Sequence, residues 1–495
     1  MTMPSSGTLT FTNLKTEWVD TNPVVFSEYY AGGVNVGANA IGLASSGVLK
    51  LSEFYNLSNA WIKVFRGATS ANEATQDAAI DTSDNIYVVS YSQNNTSFSN
   101  GYGLIVKVNP DTGSVAWQKL FNTNSSSYAA SYLSVTTDSS GYAYAAGYTP
   151  STGSSITYPV INKYDSSGTL QWHRMLYNSS ATGRAGQVNS ITTDSSGNIY
   201  AAMQFIGGTG NDLDFYTVKY NSSGTLQWQR FLSQSGYTTY NCIPKCVRTD
   251  SSANVYVCGS QYFDAATIGG TRAFIAKYNT SGTIQWQYNI TTLNTYFQQM
   301  AVDSSANVYV TLTDNDTGGS TLLKLNSSGS ILWQRTIANM TFGGVSISST
   351  SGLIYVAGSY YDGSKNIGVM IVYNSSGTLQ SSRSEGFSTP ATLLGTRTLV
   401  SSTNVQYLLG TTFGGIYYKK NAVASYLPSN VIIAFNPFGT NFNLQYNLYT
   451  PTDSAGGYAL SSTSLPEAAG VLSATTVSYN DISGSLTLYS SRSAY

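Results

Sequence analysis

Short apolar or alternating runs, separated by polar turns, recur along most of the chain. Residues 134–137 (Ser-Val-Thr-Thr) and 198–202 (Asn-Ile-Tyr-Ala-Ala) are examples, rich in β-branched, aromatic and small residues. Such runs are too short for amphipathic helices and fit strands of a half-buried sheet. The clusters of Asp, Asn, Ser and Gly between them are turn formers. The pattern predicts an all-β chain of short antiparallel strands.

One turn motif reads Asp-Ser-Ser-Gly/Ala-Asn and is followed by a run containing Tyr. The Asp side chain can accept hydrogen bonds from the backbone two residues on, and Gly supplies a positive φ, so each copy predicts a tight hairpin. The copies lie at residues 81–87, 138–144, 194–200, 250–256 and 303–309, with degenerate copies at 349–355 and 401–407.

A second motif, Lys-Tyr-Asn-Ser-Ser-Gly-Thr-Leu-Gln-Trp, alternates with the first. Its copies lie at residues 163–172, 219–228, 277–286 and 324–333, with a related copy at 107–117. Because it also has turn residues between two strand-like runs, it predicts a second hairpin. Two hairpins per period give four strands per period.

The tryptophans mark the period. They recur 47 to 58 residues apart, at Trp61, Trp117, Trp172, Trp228, Trp286 and Trp333. A four-stranded unit of roughly 40 to 50 residues is a β-propeller blade. Their regular spacing favours a structural role where sheets pack, and a ligand-stacking array is the alternative. Since Ser381 and Tyr446 occupy the next equivalent places, we expect a propeller of eight blades, with seven as the alternative.

The two ends of the repeat region predict how the ring closes. Residues 57–66 read as the last strand of a blade without its first three strands, and residues 457–495 offer about three strands without a last one. Pairing these segments would form a composite eighth blade and define a propeller over residues 57–495. Residues 1–56 do not share the repeat and are too few to bury much surface, so we expect a small N-terminal module that docks elsewhere.

Composition narrows the range of partners. Charged residues make up only 9%, with 23 Lys and Arg against 24 Asp and Glu, whereas Tyr (39) and Gly (46) are abundant. No basic run is present, which argues against nucleic acid as a partner. No run of 18 apolar residues and no secretion signal is present, which argues against membrane insertion. We expect a neutral, hydroxyl-rich surface.

Candidate chemistry is sparse. The only histidine, His173, follows Trp172 in a predicted strand, and most carboxylates occupy turns that already explain them. Cys242, Cys246 and Cys258 lack a fourth zinc ligand nearby, so we interpret them as buried small residues, with Cys246 facing Cys258 if the turn is symmetric. We therefore expect no catalytic site, no metal site, no cofactor and no enzymatic activity. Glycosidase chemistry, which needs two converging carboxylates, stays the lesser alternative.

Loop tyrosines are the candidate binding residues. Rings and neutral hydrogen-bonding groups suit glycan or protein surfaces. The candidates outside the repeats are Tyr237, Tyr240, Tyr262 and Tyr361. Ordinary loop packing is the alternative for each.

Two segments resemble known families. Residues 3–14 (Met-Pro-Ser-Ser-Gly-Thr-Leu-Thr-Phe-Thr-Asn-Leu) and 45–55 (Ser-Ser-Gly-Val-Leu-Lys-Leu-Ser-Glu-Phe-Tyr) resemble the start of many tailed-bacteriophage virion proteins. The repeats over about residues 57–450 resemble those of bacterial and phage β-propeller surface proteins.

These resemblances imply a structural protein of a phage tail or tail fibre. It would attach to other tail proteins through residues 1–56 and present the propeller for host-surface binding or as a spacer. It would be made in the host cytoplasm and released in the virion by lysis. A bacterial surface adhesin is the alternative, and a polysaccharide-degrading tail enzyme is the lesser one.

Overall fold

The structure is a computed structural model. It describes residues 61–66, 73–93, 101–110, 113–121, 129–150, 156–178, 186–206, 213–232, 240–263, 270–290, 294–316, 318–361, 366–385, 392–402, 406–413, 429–435, 460–462, 467–469, 472–475, 481–483 and 487–493. The proposed N-terminal module, residues 1–56, lies outside these ranges. Within them, no helix is long and apolar enough to cross a membrane.

Six blades are each built from four consecutive antiparallel strands. Their strands are β2 (Glu73–Ile80), β3 (Ile86–Gln93), β4 (Gly101–Val108) and β5 (Val115–Phe121); β6 (Ser131–Thr137), β7 (Ala143–Pro150), β8 (Thr157–Tyr164) and β9 (Leu170–Asn178); β10 (Gly186–Thr193), β11 (Ile199–Ile206), β12 (Leu213–Tyr220) and β13 (Leu226–Leu232); β14 (Tyr240–Thr249), β15 (Val255–Phe263), β16 (Gly270–Tyr278) and β17 (Ile284–Ile290); β18 (Thr295–Val302), β19 (Val308–Asp314), β20 (Gly319–Leu325) and β21 (Ile331–Ile337); β22 (Met340–Ile347), β23 (Ile354–Tyr361), β24 (Asn366–Tyr373) and β25 (Leu379–Glu385).

A composite sheet closes the ring. It consists of β26 (Thr392–Val400), β27 (Gln406–Phe413), β28 (Ser429–Phe435) and the first strand, β1 (Trp61–Arg66), which pairs antiparallel with β28. Trp61 lies opposite Ala434 in the register that Trp228 has opposite Lys219. Trp61 therefore occupies the tryptophan position of this closing sheet.

The blade count predicted from the sequence, eight with seven as the alternative, is corrected by this topology. Six blades consist of consecutive strands, and the sheet that completes the ring takes its first three strands from residues 392–435. The predicted eighth blade, with three strands from residues 457–495, does not form. The reason is that β1 completes the sheet of β26–β28 on one side, and on its other side it pairs with residues 487–493, so the predicted pairing with the C-terminal segment forms without a separate blade.

The C-terminal strands instead form a belt on the outside of the propeller. They are β29 (Leu460–Ser462), β30 (Glu467–Ala469), β31 (Leu472–Thr475), β32 (Asp481–Ser483) and β33 (Thr487–Ser493). Each adds a fifth antiparallel strand to a different sheet, beside β17, β13, β9, β5 and β1 respectively. The belt thus covers the outer edges of five successive sheets, which removes exposed edge strands at those places.

The hydrophobic core lies between neighbouring sheets. In one cluster, Ile161 on β8 and Met203 on β11 belong to adjacent blades and are both fully buried. The second strands are apolar and almost wholly buried, as in β7, because sheets pack on both of their faces. The fourth strands, such as β13, are half-exposed because they lie at the rim.

The up-and-down order of the strands gives the propeller two different faces. The two repeated turns of a blade, such as Asp194–Asn198 and Asn221–Thr225, follow its first and third strands, so both lie on one face, the turn face. The connections after the second and fourth strands lie on the opposite face, the loop face, because successive antiparallel strands reverse direction. The first strands contact one another in order and surround the axis.

Candidate functional site

The Asp of each Asp-Ser-Ser turn organises the turn face. Oδ1 of Asp194 accepts hydrogen bonds from the backbone N–H groups of Ser196 and Asn198, both at 2.9 Å. Its Oδ2 accepts from Asn198 Nδ2 at 2.8 Å and from the hydroxyl of Tyr200 at 2.9 Å. Burial and this hydrogen bond to Asp194 raise the pKa of Tyr200 above its usual value. The carboxylate therefore joins the turn to the buried second strand.

The same tyrosine-to-carboxylate bond recurs in five blades. Its pairs are Tyr87 with Asp81, Tyr144 with Asp138, Tyr200 with Asp194, Tyr256 with Asp250 and Tyr309 with Asp303. These carboxylates already accept several hydrogen bonds, so the sequence-based interpretation of them as turn residues agrees with their geometry.

The tryptophan motif reaches from one blade to the next. Trp228 Nε1 donates to the backbone carbonyl of Thr280 at 3.1 Å, and Lys219 Nζ donates to the same carbonyl at 3.4 Å. Arg230 lies over the Trp228 ring at 5.8 Å and donates from Nε to the carbonyl of Gly282 at 2.9 Å. Thr280 and Gly282 belong to the turn of the following blade, so these three side chains form an inter-blade latch.

The latch repeats around the turn face. The Trp Nε1 donates to the carbonyl of Ser166 from Trp117, of Ser222 from Trp172, of Ser327 from Trp286 and of Ser375 from Trp333. The five rings are half-buried and pack against the inter-sheet clusters. For Trp61 the structure describes only the backbone.

Glycine in the following turn is required by the latch. Gly282 has a φ of +78°, and a Cβ placed on it would lie 2.9 Å from Cδ2 of Trp228. Both the left-handed backbone and the contact with the indole ring therefore favour glycine. The turn residue and the tryptophan of the preceding blade are matched to each other, which explains why they recur together.

The candidate tyrosines lie at the loop face where they are described. Tyr262 is the next-to-last residue of β15 and packs on Tyr296 of the next blade, with ring centroids 6.2 Å apart. Tyr361 ends β23 and is 54% exposed. The backbone of Tyr240 begins β14 beside the end of β15, and Tyr237 lies outside the described residues. Tyr240 and Tyr262 thus share one sheet, and Tyr361 belongs to another.

His173 and the cysteines occupy buried strand positions. His173 is 6% exposed on β9, and burial, together with the charge of Arg174, lowers its pKa to about 4. Cys242, Cys246 and Cys258 are buried free thiols. Cys246 lies directly opposite Cys258, as the turn symmetry predicted.

A ring of bulged backbone positions lies on the first strands around the axis, and the sequence analysis did not find it. Each first strand carries a β-bulge at the same position, where one residue is left out of the pairing with the second strand. Bulges commonly re-aim side chains. The bulged residues are Gln76, Leu133, Asn189, Lys245, Gln298, Gly343 and Thr396.

The residue after each bulge often connects to the next sheet. Ser134 Oγ accepts from the backbone N–H of Ile191, and Ser190 Oγ accepts from that of Val247, both at 3.2 Å. Gln299 Oε1 accepts from Val345 N–H at 3.0 Å. These bonds are equivalent, so they link consecutive first strands around the axis.

The ring closes through an ion pair. Asp77 on β2 accepts from Ser134 Oγ at 2.6 Å and from Val135 N–H at 3.2 Å, and Arg397 Nε on β26 lies 2.6 Å from Asp77 Oδ1. The signal in the sequence was a charged residue in the middle of each of two predicted strands, Asp77 in β2 and Arg397 in β26. Periodicity did not reveal it, because Asp77 and Arg397 are not repeated.

Comparisons with known proteins give remote structural matches only. No family model and no curated protein matches the chain. Solved structures do match. A Dyadobacter fermentans protein of unknown function has a TM-score of 0.42 and 8% identity, with 75% of this chain and 97% of that chain covered. The phage phi92 endosialidase has a TM-score of 0.42 and 11% identity, with 80% and 71% covered. The Xanthomonas campestris GH74 xyloglucanase has a TM-score of 0.43 and 8% identity, with 70% and 53% covered.

These comparisons correct one expectation. Two of the three similar structures are enzymes, an endosialidase and a xyloglucanase. The prediction that this chain is not an enzyme, which was argued from its scarcity of catalytic residues, is contradicted, because the similar structures include enzymes. At these identities, and with TM-scores below 0.5, the likeness assigns no activity to this chain.

Proposed function

We propose that this protein is a tail-associated component of a phage particle that attaches through residues 1–56 and presents its loop face to the host surface. The resemblance of residues 3–14 and 45–55 to virion proteins supports the attachment. The difference between the turn face and the loop face of the propeller supports the presentation of the loop face to the host.

The turn face is occupied by inter-blade contacts. Trp228, Lys219 and Arg230 all contact the next blade's turn. Any substitution in these residues would disturb the packing between blades. The turn face therefore has little freedom to vary in sequence, as a surface that follows a changing host receptor would need to do. The loop face carries connections that differ in length and sequence from blade to blade, and binding residues are commonly found on such loops held by a rigid scaffold.

The loop face also offers an exposed aromatic ring. Tyr361 is 54% exposed at the end of β23. A tyrosine ring provides a flat apolar surface and a hydroxyl, which suits neutral glycan or protein surfaces. This exposed ring on the loop face is the observation that carries the binding half of the proposal.

Attachment is tested by deletion. Particles produced with a chain that lacks residues 1–56 should contain no propeller, as detected by immunoblotting of purified virions. A control chain with Tyr361→Ser should be incorporated normally. Normal incorporation of the truncated chain would refute the attachment.

Binding is tested with a matched pair of surface variants. Tyr361→Ser removes an exposed ring from the loop face, whereas Leu332→Ser removes a 51% exposed side chain near the turn face. We expect particles with Tyr361→Ser to adsorb to host cells more slowly and particles with Leu332→Ser to adsorb normally. Equal slowing by both variants, or by Leu332→Ser alone, would contradict the assignment of the loop face.

A further inference from the structure

Lys245 is an unusual residue of the axial ring. It is the bulged residue of β14, between Pro244 and Cys246, and it is exposed to solvent although β14 is a first strand. Its Nζ forms no hydrogen bond or ion pair with a residue that the structure describes. A lysine on a first strand that remains in contact with solvent points to a water-filled channel along the axis.

A second cation lies across this channel. The protein atoms that surround Lys245 lower its pKa by desolvation, although the side chain keeps contact with solvent; the charge of Arg397 lowers the pKa further and Cys258 raises it. Arg397 belongs to β26, and the sheets that begin with β18 and β22 separate it from β14 around the ring. Their strands are therefore not adjacent, and an interaction between the two charges acts across the axis.

The described side chains of the first strands include three cations, Lys245, Arg248 and Arg397, and one carboxylate, Asp77. Arg248, two residues beyond Cys246 on β14, adds a third cation whose Nη1 donates to the carbonyl of Val247 at 2.7 Å. The carboxylate found with them is Asp77, and it already accepts from Arg397, Ser134 and Val135. Among the first-strand side chains that the structure describes, which do not include that of Glu73 on β2, Lys245 thus has no carboxylate partner.

Neutral amides flank Lys245. Asn189 on β10 and Gln298 on β18 occupy the equivalent bulge positions of the two neighbouring blades. Both are partly exposed, and each makes one long hydrogen bond, to Gln204 Oε1 at 3.3 Å and to Thr313 Oγ1 at 3.4 Å. Amide side chains offer donors and acceptors of the kind that bind hydroxyl groups.

We propose that the axial channel binds the carboxylate of an acidic sugar at Lys245, with Asn189 and Gln298 beside its hydroxyl groups. The carboxylate supplies the counter-ion that Lys245 lacks, and a charge-assisted hydrogen bond in a confined channel is stronger than one at the open surface. That the carboxylate belongs to a sugar rests on the proposed function. The anion site itself rests only on the residues of the channel.

The experiment is ligand-observed NMR, with calorimetry, on the full chain. Glucuronate is the probe. Glucose, which lacks the carboxylate, is the uncharged control, and inorganic phosphate is the competing oxyanion. We expect glucuronate to bind, glucose to bind weakly or not at all, and phosphate to bind more weakly than glucuronate. Lys245→Met should weaken glucuronate binding by about tenfold or more, as expected for the loss of a charge-assisted hydrogen bond. Lys119→Met on β5, which removes the same charge at the rim, should not weaken it.

Several results would overturn the proposal. These are no binding of glucuronate, equal binding of glucose, tighter binding of phosphate, or unchanged binding by the Lys245→Met variant. Circular dichroism shows whether the variant is folded, and Lys245→Arg, which keeps the charge, should retain most of the binding. Particle incorporation and host adsorption are separate measurements, so failure of the channel site leaves the proposed function to be judged on its own tests.

Discussion

Arg397 Nε on β26 lies 2.6 Å from Asp77 Oδ1 on β2, and the two side chains form an ion pair. The pair joins the first strand of the closing sheet to the first strand of the first blade. The two residues are 320 positions apart. Asp77 is largely buried, and its carboxylate also accepts from the next blade. This pair therefore stabilises the closure of the ring at the axis, whereas the inter-blade latches lie on the turn face.

Breaking the pair should destabilise the propeller. Removal of one partner of a buried pair leaves an uncompensated charge, so Asp77→Asn or Arg397→Met should lower the free energy of unfolding by about 3 kcal/mol. Chemical denaturation measures this change. The double variant should lose less than the sum of the two single variants. Strict additivity would show that the two groups do not interact.

Two glycine-to-alanine substitutions test the inter-blade latch. Gly282→Ala and Gly141→Ala both place alanine at a positive φ, of +78° and +81°, but only Gly282 has a tryptophan where the Cβ would go. We expect about 1 kcal/mol of destabilisation for Gly141→Ala from the backbone alone and about 1–3 kcal/mol more for Gly282→Ala. Thermal unfolding of both variants measures the difference. Equal shifts in the melting temperature would argue against the latch.

His173 should make stability depend on pH. Its pKa falls from 6.5 in the unfolded chain to about 4 in the folded protein because it is buried, with Arg174 adding to the effect. Between these values the unfolded state binds a proton that the folded state does not, so stability is lost as pH falls from about 6.5 towards 4. Over this pH range the free energy of unfolding falls by about 3 kcal/mol because of His173.

Two measurements check this dependence. Since His173 is the only histidine, its NMR titration can be read directly. His173→Gln should remove the corresponding loss of stability and leave the part due to carboxylates. An NMR midpoint near 6.5 would contradict the buried, uncharged histidine.

The belt should protect the outer edges of the sheets. Truncation after residue 459 would remove β29–β33 and expose the edges of β1, β5, β9, β13 and β17. Exposed edges pair with other chains, so we expect the truncated protein to self-associate as its concentration rises. Light scattering measures this. A truncated chain that stays monomeric at the concentrations used for the full chain would show that the belt does not cover these edges.

The repeat could be derived from the sequence because it is local. The Asp194 turn, its bond to Tyr200 and the strand that ends the period at Trp228 all lie within 35 residues. Turn chemistry and alternation reveal such short-range structure. The partner of Trp228, the turn at Thr280 and Gly282, was recognised as a turn but not as a latch, because the contact crosses from one blade to the next.

Long-range features could not be derived in the same way. The period was extended one interval too far, to Tyr446, since the sequence does not show that Trp61 completes the last sheet. The belt strands are only three to seven residues long and lie on five different sheets, so their partners leave no periodic signal. Lys245 was overlooked because it belongs to no motif, and only the closed ring brings its strand, β14, and the strand of Arg397, β26, around one axis.

The central claim is that the ring closes by pairing of β1 with β28, and a cross-link tests it most directly. Ile62 lies opposite Ile433, and Lys63 lies opposite Ile432. Cysteines placed at each pair in turn should form an intramolecular disulfide in at least one pair, because directly opposed residues of antiparallel strands lie about 4.5–5.5 Å apart. Peptide mass mapping of the oxidised protein should then join residues 62 and 433, or 63 and 432, in a monomer. Disulfides that form only between two molecules, or none at either pair, would contradict the closed ring.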